Sequence, residues 1–553
     1  MALVEFLRSA ETAQLRAMLG FTLIAGLANA ALIVVITRVA EAVSNGAPPS
    51  ALAWGVFTGA FVIYYAANQF SLLRSMAIVE DLLTRKRLMI ADDLRKSELL
   101  VADGLGRGRL FSLVAKETNH LSVTFPLIVQ ALQQMILLGV SLIYLLYLSP
   151  LAFVIFIATV GLGAVGYRAI NRRFADVLRH VERMQARTMD TILDIIHGAK
   201  ELRLNARRAE AIDAAYRKRS YALERLLVKS VEHWVALILL GSLATFAMLV
   251  FVVFVFPEYA TGQKAVIFQL IPILLFCMGT LSVTLAQSPM FLRAEAGLQS
   301  ILTVERELSR SPGITPDQAR AAASQFSGFE TISLNAAGFS YDAADPGAYA
   351  VGPLDLTLDR GEVVFFVGGN GSGKSTALRM LTGLYPLRSG WISADQVAVT
   401  PANLAGYREL FSSVFVDFHL FDRLYGLEHI APGQVNRLID EMGLTGKVTF
   451  ADGKFDQLHL STGQRKRLAM IAALLEDRPV YVFDEWSAEQ DVNFRDYFYH
   501  SLIPLLRDRG KLVIVTSHDE KYWGVADRVV KMDLGKVEWV RRGSDFNEEP
   551  TDK

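Results

Sequence analysis

The chain has 553 residues, and its 56 lysines and arginines balance 56 aspartates and glutamates, so the formal net charge is zero. The length allows several domains, and the balanced charge gives no overall case for nucleic-acid binding. Hydrophobic residues make up 52% of the chain and the mean hydropathy is +0.31, which favours membrane segments. The one cysteine, Cys277, excludes an intramolecular disulfide, and we expect it to be a packing residue in its apolar run.

Six apolar stretches in the N-terminal half reach the length of about 20 residues that a membrane-spanning helix needs. The alternative, buried helices of a large soluble core, is disfavoured because the stretch 237–256 carries no charge. Residues 1–16 are polar and of mixed charge, so we expect no cleavable signal peptide. The predicted spans lie near 17–37, 51–73, 124–147, 150–170, 232–256 and 264–287.

The charge of the connections predicts their orientation. The connections after the second and fourth spans are rich in lysine and arginine, whereas those near 41–50, 148–150 and 257–263 have almost none. The positive-inside rule therefore places both termini and both long connections in the cytoplasm. The long connections are rich in helix formers, so we expect the spans to continue as helices, with bends at residues 104–108 and 198–204.

Asp, Glu, Lys and Arg do not occur in the middle of a predicted span, so the sequence offers no ion-coupling or proton-relay residue. The few polar side chains there have two interpretations, a polar substrate path or hydrogen bonds between helices. They are Asn29, Asn68, Gln69, Gln130, Gln133, Gln134, Gln269 and Gln287.

A Gly-rich loop dominates the C-terminal half, where short β-branched runs alternate with helical stretches in an α/β pattern. Residues 368–375 fit Gly-x-x-x-x-Gly-Lys-Ser/Thr, with an apolar strand before them and a helix after them. Glycines let backbone N–H groups surround an anion, and the helix N-terminus attracts phosphate. We expect Lys374 to reach the β- and γ-phosphates and Ser375 to bind Mg²⁺. The expected nucleotide contacts are Gly368, Asn370, Gly371, Ser372, Gly373, Lys374, Ser375 and Thr376.

Two later strands end in polar residues, the position at which α/β sheets bind ligands. The apolar run 480–483 ends at Asp484, a candidate Mg²⁺ ligand, and Glu485, a candidate for polarising the attacking water. A second strand is followed by His518, a candidate sensor of the γ-phosphate, although a lone histidine is usually structural.

Two further candidates are weaker on their own. Ser461, Gly463 and Gln464 begin a helical run and predict either an anion site or an ordinary helix cap. Tyr341, at the edge of a predicted strand, has an aromatic ring that could stack on adenine or belong to the core.

The order of these motifs resembles that of ABC ATPase domains. Leu460–Gln464 is similar to the ABC signature Leu-Ser-Gly-Gly-Gln, with Thr462 replacing one glycine. Six spans ahead of this domain resemble a type IV ABC exporter half-transporter of the bacterial inner membrane, and the resemblance covers essentially the whole chain. It implies a membrane domain of six transmembrane helices at 1–290, a linker at 291–330 and an α/β P-loop ABC ATPase domain at 331–553.

Finer features resemble one branch of that family. Residues 484–491, Asp-Glu-Trp-Ser-Ala-Glu-Gln-Asp, depart from the usual Asp-Glu-Pro-Thr-Ser-Ala-Leu-Asp. They are similar to bacterial cyclic-peptide and siderophore exporters of the pyoverdine and syringomycin type, as are residues 417–422 and 198–202. The chain departs from most ABC domains at Val416, where a glutamine is usual and where valine cannot bind Mg²⁺. Asp417 could substitute as a metal ligand, or coupling could run without that contact.

The resemblance implies ATP-driven export of a peptide-like compound, with ATP and Mg²⁺ as cofactors and with membrane lipid around the spans. Two chains, most simply a homodimer, would form a head-to-tail nucleotide sandwich. Lys374 of one chain would face Ser461 of the other, Asp491 would link the two sites, and Glu485 and His518 would be the catalytic pair. The alternatives are a lipid or hydrophobic-drug exporter, an importer with an exporter-like fold, or an ATP-dependent sensor that transports nothing.

Overall fold

The structure, a computed structural model, describes residues 5–6, 8, 11–44, 46–106, 110, 118–259, 264–309, 316–341 and 349–546. It divides into two units, which are described separately. The helical unit comprises Met1–Ala91 and Gly106–Arg306, and the mixed unit comprises Asp92–Leu105 and Glu307–Lys553.

Long helices build the helical unit, and six helices among the described residues are long and apolar enough to cross a membrane. Each predicted span coincides with one of them. In chain order the helices of six or more residues from the N-terminus are α1 (Thr12–Ser44), α2 (Ala51–Lys96), α3 (Leu99–Leu105), α4 (Thr118–Leu148), α5 (Pro150–His197), α6 (Ala199–Leu204), α7 (Ala206–Val250) and α8 (Lys264–Leu308).

Several of these helices continue well beyond the predicted spans. Helix α5 has 48 residues, which at 1.5 Å per residue gives about 70 Å, more than twice the hydrocarbon thickness of a bilayer. It ends at His197, and the N–H of Gly198 bonds back to the carbonyl of Asp194. Helix α6 follows, and the side chain of Asn205 then caps the start of α7. The predicted bend at 198–204 is therefore confirmed.

Apolar side chains from α1, α4, α5, α7 and α8, and from the turns that extend α7, form the core of the helical unit. Helices α1 and α4 approach closely, since a Cβ atom on Gly26 would lie 2.8 Å from Cγ2 of Ile136. The core contains Ala30, Ile33, Leu137, Leu145, Ala152, Phe156, Met248, Val252, Phe256, Leu270, Ile273, Leu274, Cys277 and Met278. Cys277 is buried, as its apolar surroundings predicted.

Polar groups inside this unit join neighbouring helices. The hydroxyl of Thr280 donates to Oε1 of Gln134 over 3.3 Å, which ties α8 to α4. The hydroxyls of Thr22 and Ser71 lie 2.7 Å apart and tie α1 to α2. For Gln134 the structure therefore favours the interhelical interpretation. The Nε2 atom of buried Gln133 has no hydrogen-bond partner among the described residues.

The predicted linker differs from the observed structure. Helix α8 runs through Leu308, well past residue 290, because its buried apolar positions continue as Leu298, Ile301, Val304 and Leu308. Pro316 then begins helix α9 (Pro316–Ala323). Pro312, and Arg107 and Gly108 of the other predicted bend, lie outside the described residues.

The mixed unit contains twelve strands among its described residues. They are β1 (Thr331–Ser340), β2 (Ala350–Asp359), β3 (Val363–Val367), β4 (Ser389–Ala394), β5 (Val397–Ala398), β6 (Phe411–Val414), β7 (Phe450–Ala451), β8 (Lys454–Phe455), β9 (Val480–Asp484), β10 (Leu512–Thr516), β11 (Arg528–Asp533) and β12 (Lys536–Arg542). Its helices after α9 are α10 (Lys374–Leu381), α11 (Leu404–Arg408), α12 (Pro432–Glu441), α13 (Thr462–Glu476), α14 (Val492–Tyr497) and α15 (Ile503–Asp508).

The strand order brings the functional loops together. One antiparallel sheet has the order β2-β1-β4-β5, and the central sheet has the order β12-β11-β3-β10-β9-β6. Strands β11, β3, β10, β9 and β6 are parallel. Because β10 lies between β3 and β9, the loops that follow Val367, Thr516 and Asp484 leave one edge of the sheet side by side. This confirms the predicted α/β domain.

Alternate residues of β3 face two separate cores, as the period of a strand requires. Val363, Phe365 and Val367 pack in the core that contains residues of α13. Val364 and Phe366 pack in the core that contains residues of α10. Leu99 and Leu100 of α3 pack against this second core, so that short helix belongs to the mixed unit.

Helix α9 rests on α11 at a glycine. A Cβ atom on Gly406 would lie 2.3 Å from the carbonyl carbon of Ala322. We predict that Gly406→Ala forces the two helices apart and destabilises this contact by about 1–3 kcal/mol. Hydrogen exchange of the α9 and α11 amides in the full chain should accelerate accordingly.

The matched control is Gly433→Ala in α12, where an added Cβ would meet nothing within 4 Å among the described residues. Alanine favours a helix over glycine, so this variant should be neutral or slightly stabilised. Equal exchange in the two variants would contradict the close contact at Gly406.

Candidate nucleotide site

The loop between β3 and α10 turns on glycines with positive φ. Gly368, Gly371 and Gly373 have φ values of 142°, 78° and 102°, which L side chains rarely adopt. A Cβ atom on Gly373 would also lie 2.8 Å from the hydroxyl oxygen of Tyr349 and 3.2 Å from the Cα of Gly535. The loop therefore requires glycine both for its conformation and for its packing.

Lys374 lies over the loop that precedes it. Its Nζ donates to the carbonyl oxygens of Gly368 and Gly369 over 2.9 and 3.0 Å. Burial lowers the pKa of Lys374, and the neighbouring carboxylates of Glu485 and Asp484 act in the opposite direction. The ammonium group is thus held at the loop, where phosphate oxygens would be better partners for it than neutral carbonyls.

Asp484 lies at the end of β9 and accepts two hydrogen bonds at one oxygen. The hydroxyls of Ser375 and Thr516 donate to its Oδ1 over 3.1 and 2.8 Å. Burial raises the pKa of Asp484, although these two hydrogen bonds act to lower it. The parallel pairing of β9 with β10 produces this contact, because Thr516 is directly opposite Asp484 in the register.

These oxygens suit Mg²⁺, which prefers hard oxygen ligands and is usually held by one or two carboxylates together with phosphate oxygens. The described residues contain no cluster of three or more His, Cys, Asp or Glu that could hold a metal alone. In the same loop the hydroxyl of Ser372 is buried and has no partner among the described residues. The donor set of Ser375 and Asp484 therefore fits the predicted metal.

Glu485 adopts a left-handed backbone conformation, with φ 49° and ψ 37°. Its N–H donates to the Thr516 hydroxyl over 2.7 Å. Its carboxylate Oε1 lies 3.0 Å from Nε2 of His518. The structure therefore brings the two predicted catalytic side chains into direct contact beside the phosphate-binding loop.

A cavity of about 360 Å³ lies above this loop. It is lined by Tyr349, Asn370, Gly371, Ser372, Gly373, Lys374, Ser375, Thr376 and Glu485. Tyr349 was missed by the sequence analysis, and its hydroxyl donates to the carbonyl of Gly371 over 2.8 Å. Thr516 was also missed, although its position at the polar end of β10 was a signal for it.

The signature residues form a helix cap. Ser461 Oγ accepts from the N–H of Gln464 over 3.4 Å, and Gln464 Oε1 accepts from the N–H of Ser461 over 3.2 Å, a reciprocal capping box. Gly463 packs closely, since a Cβ there would lie 2.5 Å from the carbonyl oxygen of Glu489. These three residues do not line the described cavity of their own chain.

Tyr341 lies beside the loop. Its hydroxyl is 3.0 Å from that of Thr376, and its ring meets Phe339 edge-on with centroids 5.0 Å apart. The residue remains 51% exposed, and adenine stacking stays a prediction.

Asp417 forms an ion pair with Arg379 and does not line the described nucleotide cavity. Its Oδ2 accepts from Nη2 of Arg379 over 2.9 Å, and 67% of its side chain is exposed. It is absent from the described cavity lining, and the possible role as a metal ligand finds no support in this arrangement. The ion pair instead ties the segment after β6 to helix α10, because Arg379 reaches it from that helix.

Asp491 caps α14 and contacts α13. Its side chain accepts from the N–H of Phe494 and pairs with Arg467 Nη2 at 2.5 Å. The Phe494 amide and the Arg467 guanidinium hold the pKa of Asp491 below its usual value. Asp491 is therefore a charged surface carboxylate fixed next to the signature helix.

The fold and the site together define an ABC ATPase joined to membrane-spanning helices. The ABC transporter family model matches residues 351–488. The chain is 30% identical over 537 residues to the ATP-binding protein SyrD of Pseudomonas syringae pv. syringae, a match that covers 94% of this chain and 93% of SyrD. The chain belongs to the ABC transporter family, in the syringomycin-type exporter branch that its sequence indicated.

Two other comparisons have lower sequence identity. A solved structure of a bacterial Atm1-family ABC exporter with ATP bound has the same fold, with a TM-score of 0.76 and 16% identity over 97% of this chain and 96% of that chain. The ATP-dependent lipid A-core flippase of Hahella chejuensis is 29% identical over 219 residues, 37% of either chain. The protein is thus a multi-pass membrane transporter that uses ATP and Mg²⁺ and couples ATP hydrolysis to transport.

The two candidate carboxylates give a direct test of the metal site. Asp484→Asn removes a buried charge beside Ser375, and we predict that Mg²⁺-dependent ATP hydrolysis falls about 100-fold or more, because charge stabilisation by a bound metal contributes several kcal/mol. Asp417→Asn breaks only the contact with Arg379 and should leave the Mg²⁺ concentration for half-maximal hydrolysis unchanged. Titration of ATPase activity with Mg²⁺ measures both. A change in the Mg²⁺ concentration for half-maximal hydrolysis in the Asp417 variant would indicate that Asp417 is a metal ligand after all.

Proposed function

We propose that this transporter exports a peptide-like compound, such as a cyclic peptide, a lipopeptide or a peptide siderophore or its precursor. The observation that carries the proposal is the similarity to SyrD along both units of the chain. The segment 484–491 adds support, because it departs from most ABC domains in the manner of peptide and siderophore exporters.

The chain is expected to lie in a bacterial inner membrane with both termini in the cytoplasm. The support is the excess of lysine and arginine in the long connections after the second and fourth spans, and their near absence from the other connections. Closure of the ATPase domains would then be relayed by the predicted cytoplasmic tips near 104–116 and 195–205. The packing of α3 against a core of the mixed unit supports the first of these.

A homodimer with two composite sites is the proposed assembly. The chain has one phosphate-binding loop and one signature, and the signature residues are not part of the described cavity of their own chain. Ser461 and Gly463 of one chain would therefore complete the site that Lys374 forms in the other, with Asp491 between the two sites.

Each residue then has a role in hydrolysis. Lys374 and the loop amides would bind the β- and γ-phosphates, and Tyr341 would stack on adenine. Ser375 and Asp484 would hold Mg²⁺, which would neutralise charge on the phosphate oxygens. Glu485 would accept a proton from the attacking water, and His518, which contacts Oε1 of Glu485, would orient that carboxylate and the γ-phosphate.

A second candidate is export of a lipid or a hydrophobic drug. The local similarity to a lipid A-core flippase favours it, and the described spans offer apolar side chains together with only a few polar ones. A sensor without transport is disfavoured because Glu485 and His518 are both present and in contact.

The test is ATP-dependent uptake into inside-out vesicles of a cyclic lipopeptide or a peptide siderophore. We predict uptake by the parent chain and its loss in Glu485→Gln, with ATP hydrolysis reduced about 10²- to 10⁴-fold because the general base is removed. The matched control is Glu520→Gln, an exposed glutamate beyond His518, which should transport at the parental rate.

Two results would contradict parts of the proposal. Hydrolysis near the parental rate in Glu485→Gln would show that the base is misassigned. Absence of peptide uptake, together with ATPase activity that lipid or drug stimulates, would favour the second candidate.

A further inference from the structure

Helix α13 carries a buried lysine that the proposed hydrolysis does not use. The side chain of Lys466 is 2% exposed, although an ammonium group is costly to bury without partners. Its Nζ lies 2.5 Å from Oε2 of Glu489 and donates to the carbonyl oxygen of Glu485 over 2.7 Å. One of the two partners of this cation is thus the backbone of the proposed general base.

The backbone at Glu485 needs such support. Its φ of 49° and ψ of 37° lie in the left-handed region, which residues other than glycine rarely occupy. The N–H of Glu485 is bound by the Thr516 hydroxyl, and its carbonyl is bound by Lys466. The conformation that directs the carboxylate toward His518 is therefore held on both sides of the residue.

The rest of the segment is bound to the same helix. The indole N–H of Trp486 donates to the carbonyl of Lys466 over 2.9 Å. Gln490 Nε2 donates to the carbonyl of Gly463 over 3.0 Å, and its Oε1 accepts from Arg467 over 2.8 Å. Trp486 and Gln490 are both buried. The segment from 485 to 490 is thus bound to the first turns of α13 by several side-chain hydrogen bonds.

We propose that Lys466 is a positioning residue for Glu485, holding the backbone of the general base on the signature helix of its own chain. The inference rests on the proposed function of Glu485. Lys466 does not line the described nucleotide cavity, so its effect on the site would pass through the backbone of Glu485. Because Ser461 begins the same helix, a shift of the signature on meeting a nucleotide of the other chain moves Glu485 at its own site.

The test separates turnover from nucleotide binding. In the full-length chain in detergent, Lys466→Met keeps an unbranched side chain of nearly the same length and removes its donors. We predict that kcat for ATP hydrolysis falls about 10- to 100-fold, because displacement of a reacting group by about 1 Å costs roughly 100-fold. The Kd for trinitrophenyl-ATP should stay within about twofold of the parent, because the phosphate-binding loop is untouched.

A second lysine provides a matched control. Lys511 Nζ lies 2.8 Å from Oδ1 of Asp477 and donates to the carbonyl of Asp477 over 3.2 Å. Asp477 also has a left-handed backbone conformation, with φ 48°, but it comes before β9, at the end of that strand opposite to Glu485. Lys511→Met removes an equivalent contact far from Glu485 and should keep the parental kcat.

Each outcome decides the inference. A parental kcat in Lys466→Met, or an equal loss of kcat in Lys511→Met, would overturn it. If Lys466→Met lost ATP binding through misfolding, Lys466→Leu, which also lacks an N–H donor, would replace it: reduced kcat with normal Kd supports the inference, and parental kcat overturns it. Glu485→Gln is measured alongside, because parental hydrolysis in that variant refutes the proposed base instead.

Discussion

The hydrogen bond from Ser375 to Asp484 joins the phosphate-binding loop to the strand that precedes the proposed general base, Glu485. It exists because β10 lies between β3 and β9 in a parallel sheet, which places three strand ends at one edge. Thr516, at the end of β10, binds both Asp484 and the N–H of Glu485. The register of β9 and β10 thus helps to fix the positions of Asp484, a proposed metal ligand, and of Glu485, the proposed base.

The helical unit, by contrast, is held together mainly by apolar packing. Its described spans have apolar cores and a few hydrogen bonds such as that between Thr280 and Gln134. Charged residues inside a bilayer are costly and usually serve ion coupling or proton relay. The predicted spans have none at their middle, so the energy for transport has to come from ATP hydrolysis. The long helices α2 and α5 extend well beyond the length that a bilayer requires.

The sequence predicted features that depend on local pattern or motif order. The six spans, the phosphate-binding loop and the strand ending at Asp484 follow from apolar length, glycine spacing and strand periodicity. The sequence did not predict contacts between residues that are far apart in the chain, because composition and local pattern do not indicate which distant residues meet. Tyr349 on Gly371 and Lys466 on Glu485 are such contacts, and a lysine in an amphipathic helix would ordinarily be assigned to the solvent face.

Two sequence predictions differ from the structure, and each difference has a local cause. Asp417 was a possible metal ligand by position, yet Arg379, 38 residues earlier, pairs with it. The polar composition after residue 290 indicated a linker, yet a spaced set of apolar residues keeps α8 helical through Leu308. In both cases one specific partner or packing face decided the structure against the average character of the segment.

The composite site between two chains is tested most directly with mixed dimers. One dimer pairs a Lys374→Ala chain with a Ser461→Arg chain, and the other pairs a parent chain with a chain that carries both substitutions. If each site combines the loop of one chain with the signature of the other, the first dimer retains one intact site and hydrolyses ATP, whereas the second retains none. Hydrolysis by the second dimer and not by the first would contradict the account, because it would place both halves of a site in one chain.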